Sequence, residues 1–364
     1  MSEISSTSCS IYVSENISKD IIRFLKANKK GYSKLFVLVD ENSLKHCYPW
    51  LVASVPQLAE AEIIEIESGE ENKTIEICTQ IWSLLSEYGA DRNSLFINLG
   101  GGVICDLGGF AASCFKRGIP FINIPTTLLS QVDASVGGKT GINSDHLKNE
   151  VGLFSSPAAV FVSTRFLSTI NARHLLSGFA EIIKHALISD SKQWEKITEC
   201  SFDDLDELNT CIMASIVLKN EVVMQDPTEK GLRKILNFGH SIGHALETFF
   251  MEQNGAHHLL HGEAVAIGIV CESYLSHKVC KLKKEELETI TKFVLKTYQP
   301  VIMDSIYFNR LVELMKHDKK NNSGAINFSL LSSIGKCEIN KSASADLIIE
   351  SLKYYSEQVK LAAK

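Results

Sequence analysis

The sequence predicts an α/β protein: an N-terminal parallel-sheet nucleotide-binding domain, residues 1–165, followed by a mainly α-helical domain, residues 166–364. Three observations predict it. Strand-like and helix-like patterns alternate through the first half. The strand signal nearly vanishes after residue 165. Three glycines in Leu99-Gly-Gly-Gly-Val-Ile-Cys-Asp106 stand where a strand gives way to a helix.

Short runs rich in apolar, β-branched or aromatic residues mark the strands: Leu35-Phe-Val-Leu-Val39, Ile63-Ile64 with Ile66, Leu95-Phe-Ile-Asn-Leu99, Phe121-Ile-Asn-Ile124 and Ala159-Val-Phe-Val162. Helical periodicity fills the gaps over 17–29, 72–88 and 106–116, and such alternation makes a parallel sheet with helices on both faces. In the second half the 3.6-residue period runs through 174–190, 204–226, 239–252, 262–280, 284–297 and 308–317. A late strand from Ile326 to Leu331 and a terminal helix near 345–358 complete the reading.

The 364 residues are 45% hydrophobic and 22% charged, an ordinary globular balance. No apolar run approaches the ~18–20 residues of a membrane helix, so no membrane is expected as a partner. The polar start MSEISSTSCS does not read as a signal peptide. Ten scattered cysteines with no Cys-x-x-Cys pair read as reduced thiols in a cytoplasmic protein. A net charge of −6 argues against nucleic acid as a partner, so any anion site must be a local cluster of cations.

The glycine turn, with Gly101, Gly102 and Val103 at its centre, lets backbone approach a ligand, and a helix N-terminus favours phosphate. Asp106 suits a helix cap. Asp40, just past the first predicted strand, can accept from ribose hydroxyls and favours NAD over NADP; as a bland alternative it caps a helix. Pro125-Thr126-Thr127 opens a helix whose hydroxyls can meet a ligand. Gly137-Gly138 precedes Lys139, Lys148-Asn149 follows, and Arg117 adds another cation near a glycine. Bound anion and solvated loop are the competing readings of these charges.

The second half adds Glu181, Lys184 and His185 at i, i+3 and i+4, Lys219 inside a helix, Arg233 and Asn237, and His317-Asp-Lys-Lys320. His240 and His244 share one helix face, and His261 arrives after a loop, so a metal site can close around them. Ser241 stands where a His-Glu-x-x-His metalloprotease has its Glu, which excludes that chemistry.

Read in order, these segments name a family. Gly100-Gly-Gly-Val-Ile-Cys-Asp-Leu-Gly-Gly-Phe110, Pro125-Thr-Thr-Leu-Leu, Val132-Asp-Ala-Ser-Val-Gly-Gly-Lys-Thr-Gly-Ile-Asn143, Lys148-Asn149, Glu181-Ile-Ile-Lys184, Leu236-Asn-Phe-Gly-His-Ser-Ile-Gly-His-Ala-Leu-Glu247 and His261-Gly-Glu-Ala-Val265 resemble 3-dehydroquinate synthase, a sugar phosphate cyclase. The resemblance spans about residues 69 to 336. It implies conversion of 3-deoxy-D-arabino-heptulosonate 7-phosphate to 3-dehydroquinate and phosphate, in the shikimate route to aromatic amino acids and chorismate. It implies NAD reused in every turnover, zinc or cobalt, and a homodimer.

The resemblance also distributes roles. Glu181, His240 and His261 would hold the metal, and His244 would face the substrate instead. Asp133, Lys139, Lys184, Lys219, Arg233 and Asn237 would surround the reacting carbons and carboxylate. Lys148 and Asn149 would lie near phosphate and cofactor, Arg117 would reach the phosphate of a neighbouring subunit, and Lys320 would complete the set. Glu70, Lys73, Thr126, Thr127, Phe166 and Thr169 would contact NAD with Asp40 and the glycine turn. Three positions depart from the family pattern: Cys105 and Leu147 replace glycine, and Ser241 replaces threonine but keeps its hydroxyl. Two enzyme readings remain beside it, another sugar phosphate cyclase and a metal-dependent polyol dehydrogenase; a third, non-enzymatic reading is a regulator that binds NAD or zinc.

Overall fold

The computed structural model describes residues 2–5, 9–28, 31–144, 147–200, 204–252, 259–316 and 326–362. The chain divides into two compact units, Met1–Asn171 with Lys219–Pro227, and Ala172–Leu218 with Thr228–Lys364.

The first unit holds strands β1 (Ser2–Ser5), β2 (Ser10–Val13), β3 (Leu35–Asp40), β4 (Glu62–Ile66), β5 (Leu95–Gly100), β6 (Phe121–Pro125), β7 (Lys139–Ser144), β8 (Leu147–Phe154) and β9 (Ala159–Val162). Its helices are α1 (Ser18–Ala27), α2 (Glu41–His46), α3 (Tyr48–Ser54), α4 (Ile75–Glu87) and α5 (Gly102–Cys114). Seven strands form one sheet in the order β1-β2-β9-β6-β5-β3-β4. All neighbours run parallel except β1, which pairs antiparallel with β2 at the edge.

Side chains in a strand alternate between faces, and β3 shows how this builds two cores. Phe36 and Leu38 join Ile81 and Leu85 of α4 and Leu107 of α5 on one face. Val37 and Val39 join Ile21 of α1 and Leu51 of α3 on the other. Both faces are covered, so the central strands are largely apolar. The strand order reverses at β3 and β5: the chain steps outward from β3 to β4, then crosses back to β5, β6 and β9. Such a switch point leaves a crevice beyond the C-terminal ends of the strands.

The five expected strands of this unit are all present. The antiparallel hairpin of β7 and β8 has no strand signal in the sequence. Its pattern is erased by polar residues and by Gly141 paired opposite Gly152, which remove the period-2 signal.

The second unit contains α6 (Ala172–Ser189), α7 (Ser191–Glu199), α8 (Leu205–Gln225, whose last turns count with the first unit), α9 (His240–Glu252), α10 (His261–Val279), α11 (Lys284–Thr297), α12 (Phe308–Lys316) and α13 (Ala345–Ala362). A hairpin of β10 (Asn327–Ser333) and β11 (Lys336–Ser342) packs on the α10 helix. The sequence foresaw β10 but not β11, where Lys336, Glu338, Asn340 and Lys341 hide the strand.

α10 is the hub: it touches α6, α9, α11, α13 and β10 and is buried along most of its length. Most of its buried side chains are small or apolar, and its buried polar groups, Glu272, Ser273 and Ser276, need partners. Two glycines set how close its neighbours come. A Cβ at Gly262 would fall 1.9 Å from the Ser177 carbonyl of α6, and one at Gly268 would fall 1.9 Å from the Gly239 carbonyl before α9. Overpacking of this kind costs about 1–3 kcal/mol or more. Gly268→Ala is therefore expected to lower stability by at least ~1 kcal/mol in denaturant unfolding; an unchanged midpoint would show that the helices can part freely.

Candidate active site

In the first unit, the ends of the central strands gather the expected cofactor residues. Gly100 ends β5, and α5 begins at Gly102 with Gly101 as its cap residue and no side-chain cap on its opening N–H groups. Thr126 N donates to the Gly100 carbonyl at 2.9 Å, which ties this turn to the next strand end. The Thr127 hydroxyl accepts from Ser130 N at 3.2 Å and opens the helical turn that carries Asp133. An uncapped N-terminus of a thirteen-residue helix at the switch point is a ready place for a pyrophosphate. Val103 is half-buried in the same first turn.

Asp40 ends β3 and caps α2. Its Oδ1 accepts from Ser43 N at 2.7 Å, and Ser43 Oγ accepts from Asp40 N at 2.9 Å, so the bland reading of this residue is realised as a full capping box. Phe166 is buried in the core with its ring edge-on to Trp50 at 5.5 Å, and Thr169 is exposed and donates to the Phe166 carbonyl. Cys105 is also buried, its thiol directed at the Gly100 carbonyl, 3.9 Å away beneath the turn.

A polar network joins several residues that lie far apart in sequence. Lys73, 2% exposed, donates to Asp106 Oδ2 at 2.6 Å and to Asn149 Oδ1 at 2.5 Å. Asn149 N donates to Asn143 Oδ1, and Asn143 Nδ2 donates to Glu70 Oε1 at 2.9 Å. A buried ammonium needs such partners. Burial pushes the Asp106 carboxyl up, and Lys73 offsets only part of that rise. Lys219 donates to both Asp133 Oδ1, at 2.6 Å, and the Asp133 carbonyl. Lys139 is exposed at the first position of β7, directly after Gly137 and Gly138, both at positive φ. Lys148 is half-buried on β8. Arg117 is exposed, and it and Lys116 adopt consecutive positive φ values of 66° and 49°, a conformation non-glycine residues seldom take.

In the second unit, Glu181 sits in the middle of α6, fully buried. Its Oε1 lies 3.4 Å from His240 Nε2 and 3.5 Å from His261 Nε2, yet it makes no hydrogen bond. Its Oε2 accepts from Lys184 Nζ, also buried. The three candidate ligand atoms all lie within 4.8 Å of one another. Tetrahedral bonds of about 2.0–2.1 Å put neighbouring ligand atoms roughly 3.3–3.4 Å apart, so this set fits zinc.

The other ring nitrogens are already used. His240 Nδ1 meets the Phe238 carbonyl at 3.1 Å, and His261 Nδ1 meets Glu247 Oε2 at 3.0 Å. Such contacts direct the remaining nitrogen at a cation. Burial, then the Lys184 ammonium, push His240 down to about 3, so its imidazole is neutral, the form that can coordinate a cation. Burial alone would raise Glu181, but Lys184 and His240 outweigh it and hold the carboxyl well below the usual range. Burial likewise lowers His261, but Glu247 and Glu181 outweigh it and lift it to about 10. That positive charge stands where a divalent cation would fit.

His244 is half-buried, with its ring 5.2 Å from that of His240 and 6.0 Å from that of His261. A second grouping, His244 with Glu247 and His261, also lies within ligand reach, but Glu247 is engaged by His261 Nδ1. Arg233 is buried, and Asn237 donates to Glu229 Oε1 at 2.7 Å. Lys320 lies outside the described residues. Sequence reasoning missed Glu247 as an orienting group. Its signal was the spacing: it falls two helical turns after His240, on the same face.

Both halves of this chemistry belong to one class, enzymes that use a nicotinamide dinucleotide and a divalent cation together. Residues 63–177 match the family described as 3-dehydroquinate synthase N-terminal, and residues 178–321 match 3-dehydroquinate synthase C-terminal. The 3-dehydroquinate synthase of Parabacteroides distasonis is 45% identical over 350 residues, covering 95% of this chain and 98% of that protein. That of Clostridium acetobutylicum is 35% identical, covering 94% and 96%. Among solved structures, 2-epi-5-epi-valiolone synthase from Streptomyces hygroscopicus, with NAD+ and Zn2+ bound, superposes with a TM-score of 0.85 at 25% identity, covering 98% and 99%. The chain belongs to the 3-dehydroquinate synthase family. It is an enzyme, a phosphate-eliminating lyase that works with NAD and a metal. No helix among the described residues is long and apolar enough to cross a membrane.

His261→Ala is expected to lose bound zinc and turnover together, read by metal analysis of the purified protein. Glu247→Gln should keep the ligand but weaken zinc binding by ~10–100-fold in a chelator competition, since an orienting partner is lost. Full zinc content in the first variant would remove His261 from the centre.

Proposed function

We propose that the protein converts 3-deoxy-D-arabino-heptulosonate 7-phosphate to 3-dehydroquinate and phosphate, with Glu181, His240 and His261 holding the metal and the α5 glycine turn receiving NAD. The observation that carries the activity is 45% identity spanning nearly the whole of a 3-dehydroquinate synthase. The orphaned, buried Glu181 Oε1 between two imidazoles supports the metal assignment.

When bound, NAD supplies a hydride acceptor that becomes the donor later in the turnover, and the divalent cation supplies a Lewis acid. The residues do the rest. The uncapped N-terminus of α5, with Thr126 and Thr127, is to hold the pyrophosphate, and Asp40, Glu70 and Lys73 the rest of the dinucleotide; Phe166 and Thr169 belong to the same assignment. Asp106 holds Lys73 in place through their 2.6 Å ion pair. Lys148 and Asn149 orient the substrate phosphate, with Lys320 completing the set and Arg117 reaching a second subunit of a homodimer. Lys139, Lys219, Arg233 and Asn237 orient the carboxylate and hydroxyls by charge-assisted hydrogen bonds. Asp133 and Lys184 hold polar groups of the ring in reacting position, and His244, beside the ligands but outside the set, faces the substrate and can move a proton. Proton abstraction beside a carbonyl expels phosphate, and the fixed cations stabilise the charge that develops on it. The thiol pattern points to a reducing, cytoplasmic setting.

Phosphate release from the heptulosonate phosphate, with NAD far below substrate and zinc present, tests the activity. Multiple turnovers per NAD are expected. Stoichiometric NADH with no phosphate would instead identify a dehydrogenase. Lys139→Ala should lower the rate by ~10²-fold or more; near-normal kinetics would make it a solvated hairpin lysine.

A further inference from the structure

We propose that Glu272, a residue outside the ligand set, positions His240 by capping the helix on which that histidine stands. α9 begins at His240. The opening N–H groups of any helix lack an acceptor within it. Here Gly239 N donates to Glu272 Oε2 at 2.7 Å, and Ile242 N donates to Glu272 Oε1 at 3.0 Å. Both oxygens of one carboxylate on α10 thus bind the first turn of α9. Negative charge at a helix N-terminus is stabilising, most of all where water is excluded, and Glu272 is 0% exposed.

The packing is built around this contact. Gly268, four residues earlier on the same face of α10, lets that helix approach the Gly239 carbonyl so closely that no side chain would fit. One turn beyond, Ser276 Oγ donates to the Glu272 carbonyl at 2.6 Å and accepts from Leu331 N of β10 at 2.9 Å, which pins α10 against the strand. α10 therefore carries His261 as its own first residue and, through Glu272, fixes the first residue of α9. His240 is locked at both ends of its linkage: the ring by the Phe238 carbonyl, the backbone turn by Glu272. Glu181 stands mid-helix and needs no such brace. Without the cap, the first turn of α9 loosens and carries His240 away from the other two ligand atoms.

The inference rests on reading Glu181, His240 and His261 as metal ligands, and the experiment separates the two. Zn2+ and, separately, NAD are titrated calorimetrically into metal-free wild type, Glu272→Gln, Ser276→Ala and His240→Ala. Gln keeps the shape but turns one acceptor into a donor facing an N–H. Glu272→Gln is expected to raise the Zn2+ Kd by ~10–100-fold with NAD affinity unchanged. Ser276→Ala, which loses a buried hydrogen bond on the same helix, is expected to lower Tm and leave Zn2+ affinity as in wild type. A Zn2+ Kd unchanged in Glu272→Gln, equal losses in Glu272→Gln and Ser276→Ala, or failure of Glu272→Gln to fold would each overturn the positioning role. Wild-type Zn2+ affinity in His240→Ala would overturn the ligand reading itself, and the inference with it.

Discussion

A single buried carboxylate governs the second unit. Glu181 is fully buried in α6, and a buried anion is tolerated only when opposite charge and hydrogen bonds replace the lost solvent. Lys184, one turn along the same helix, satisfies one oxygen. The other has two imidazoles at 3.4 and 3.5 Å and no hydrogen bond. Much of the local architecture follows from meeting that requirement. Three helices must bring side chains to one point, so α10 carries glycine where α6 and the start of α9 press on it. Each imidazole must aim one particular nitrogen inward, so the Phe238 carbonyl and Glu247 occupy the other.

The first unit solves the converse problem, a buried cation. Lys73 threads between Asp106 of α5 and Asn149 of β8, and Asn143 extends the chain to Glu70. These partners come from four separate stretches of sequence. The network ties the α5 helix that follows the glycine turn to the β7–β8 hairpin, so that turn and the strand that carries Lys148 are held in one polar frame. The sheet supplies the rest, since the reversal at β3 and β5 opens the crevice beyond their C-terminal ends, where Asp40 and Gly101 stand.

The legible features were those with a local signal. Continuous apolar runs located the parallel strands, because strands buried on both faces have no alternation to lose. Helical periodicity located α9 and α10, and His240, His244 and His261 stood out by spacing. What stayed hidden depended on partners distant in sequence. The β7–β8 hairpin is held by backbone pairing across two glycines, which leave no side-chain pattern. Asp40 is a local exception: both its readings were visible in the sequence, and the capping box with Ser43, three residues on, realises one of them. Spacing alone did not separate His240 from His244, since both share a helix face; the difference lies in which imidazole meets a carboxylate arriving from another helix, about sixty residues earlier. Glu247 and Glu272 read as ordinary helical glutamates until α9 and α10 are set side by side.

The claim on which these relations turn is that Glu181, His240 and His261 share one cation. A crystal structure of the zinc-loaded protein, with anomalous data at the zinc edge, tests it most directly. The expected result is one peak within ~2.0–2.2 Å of Glu181 Oε1, His240 Nε2 and His261 Nε2, with His244 beyond bonding distance. A peak bonded to His244, or one that leaves Glu181 Oε1 unbound, would contradict it.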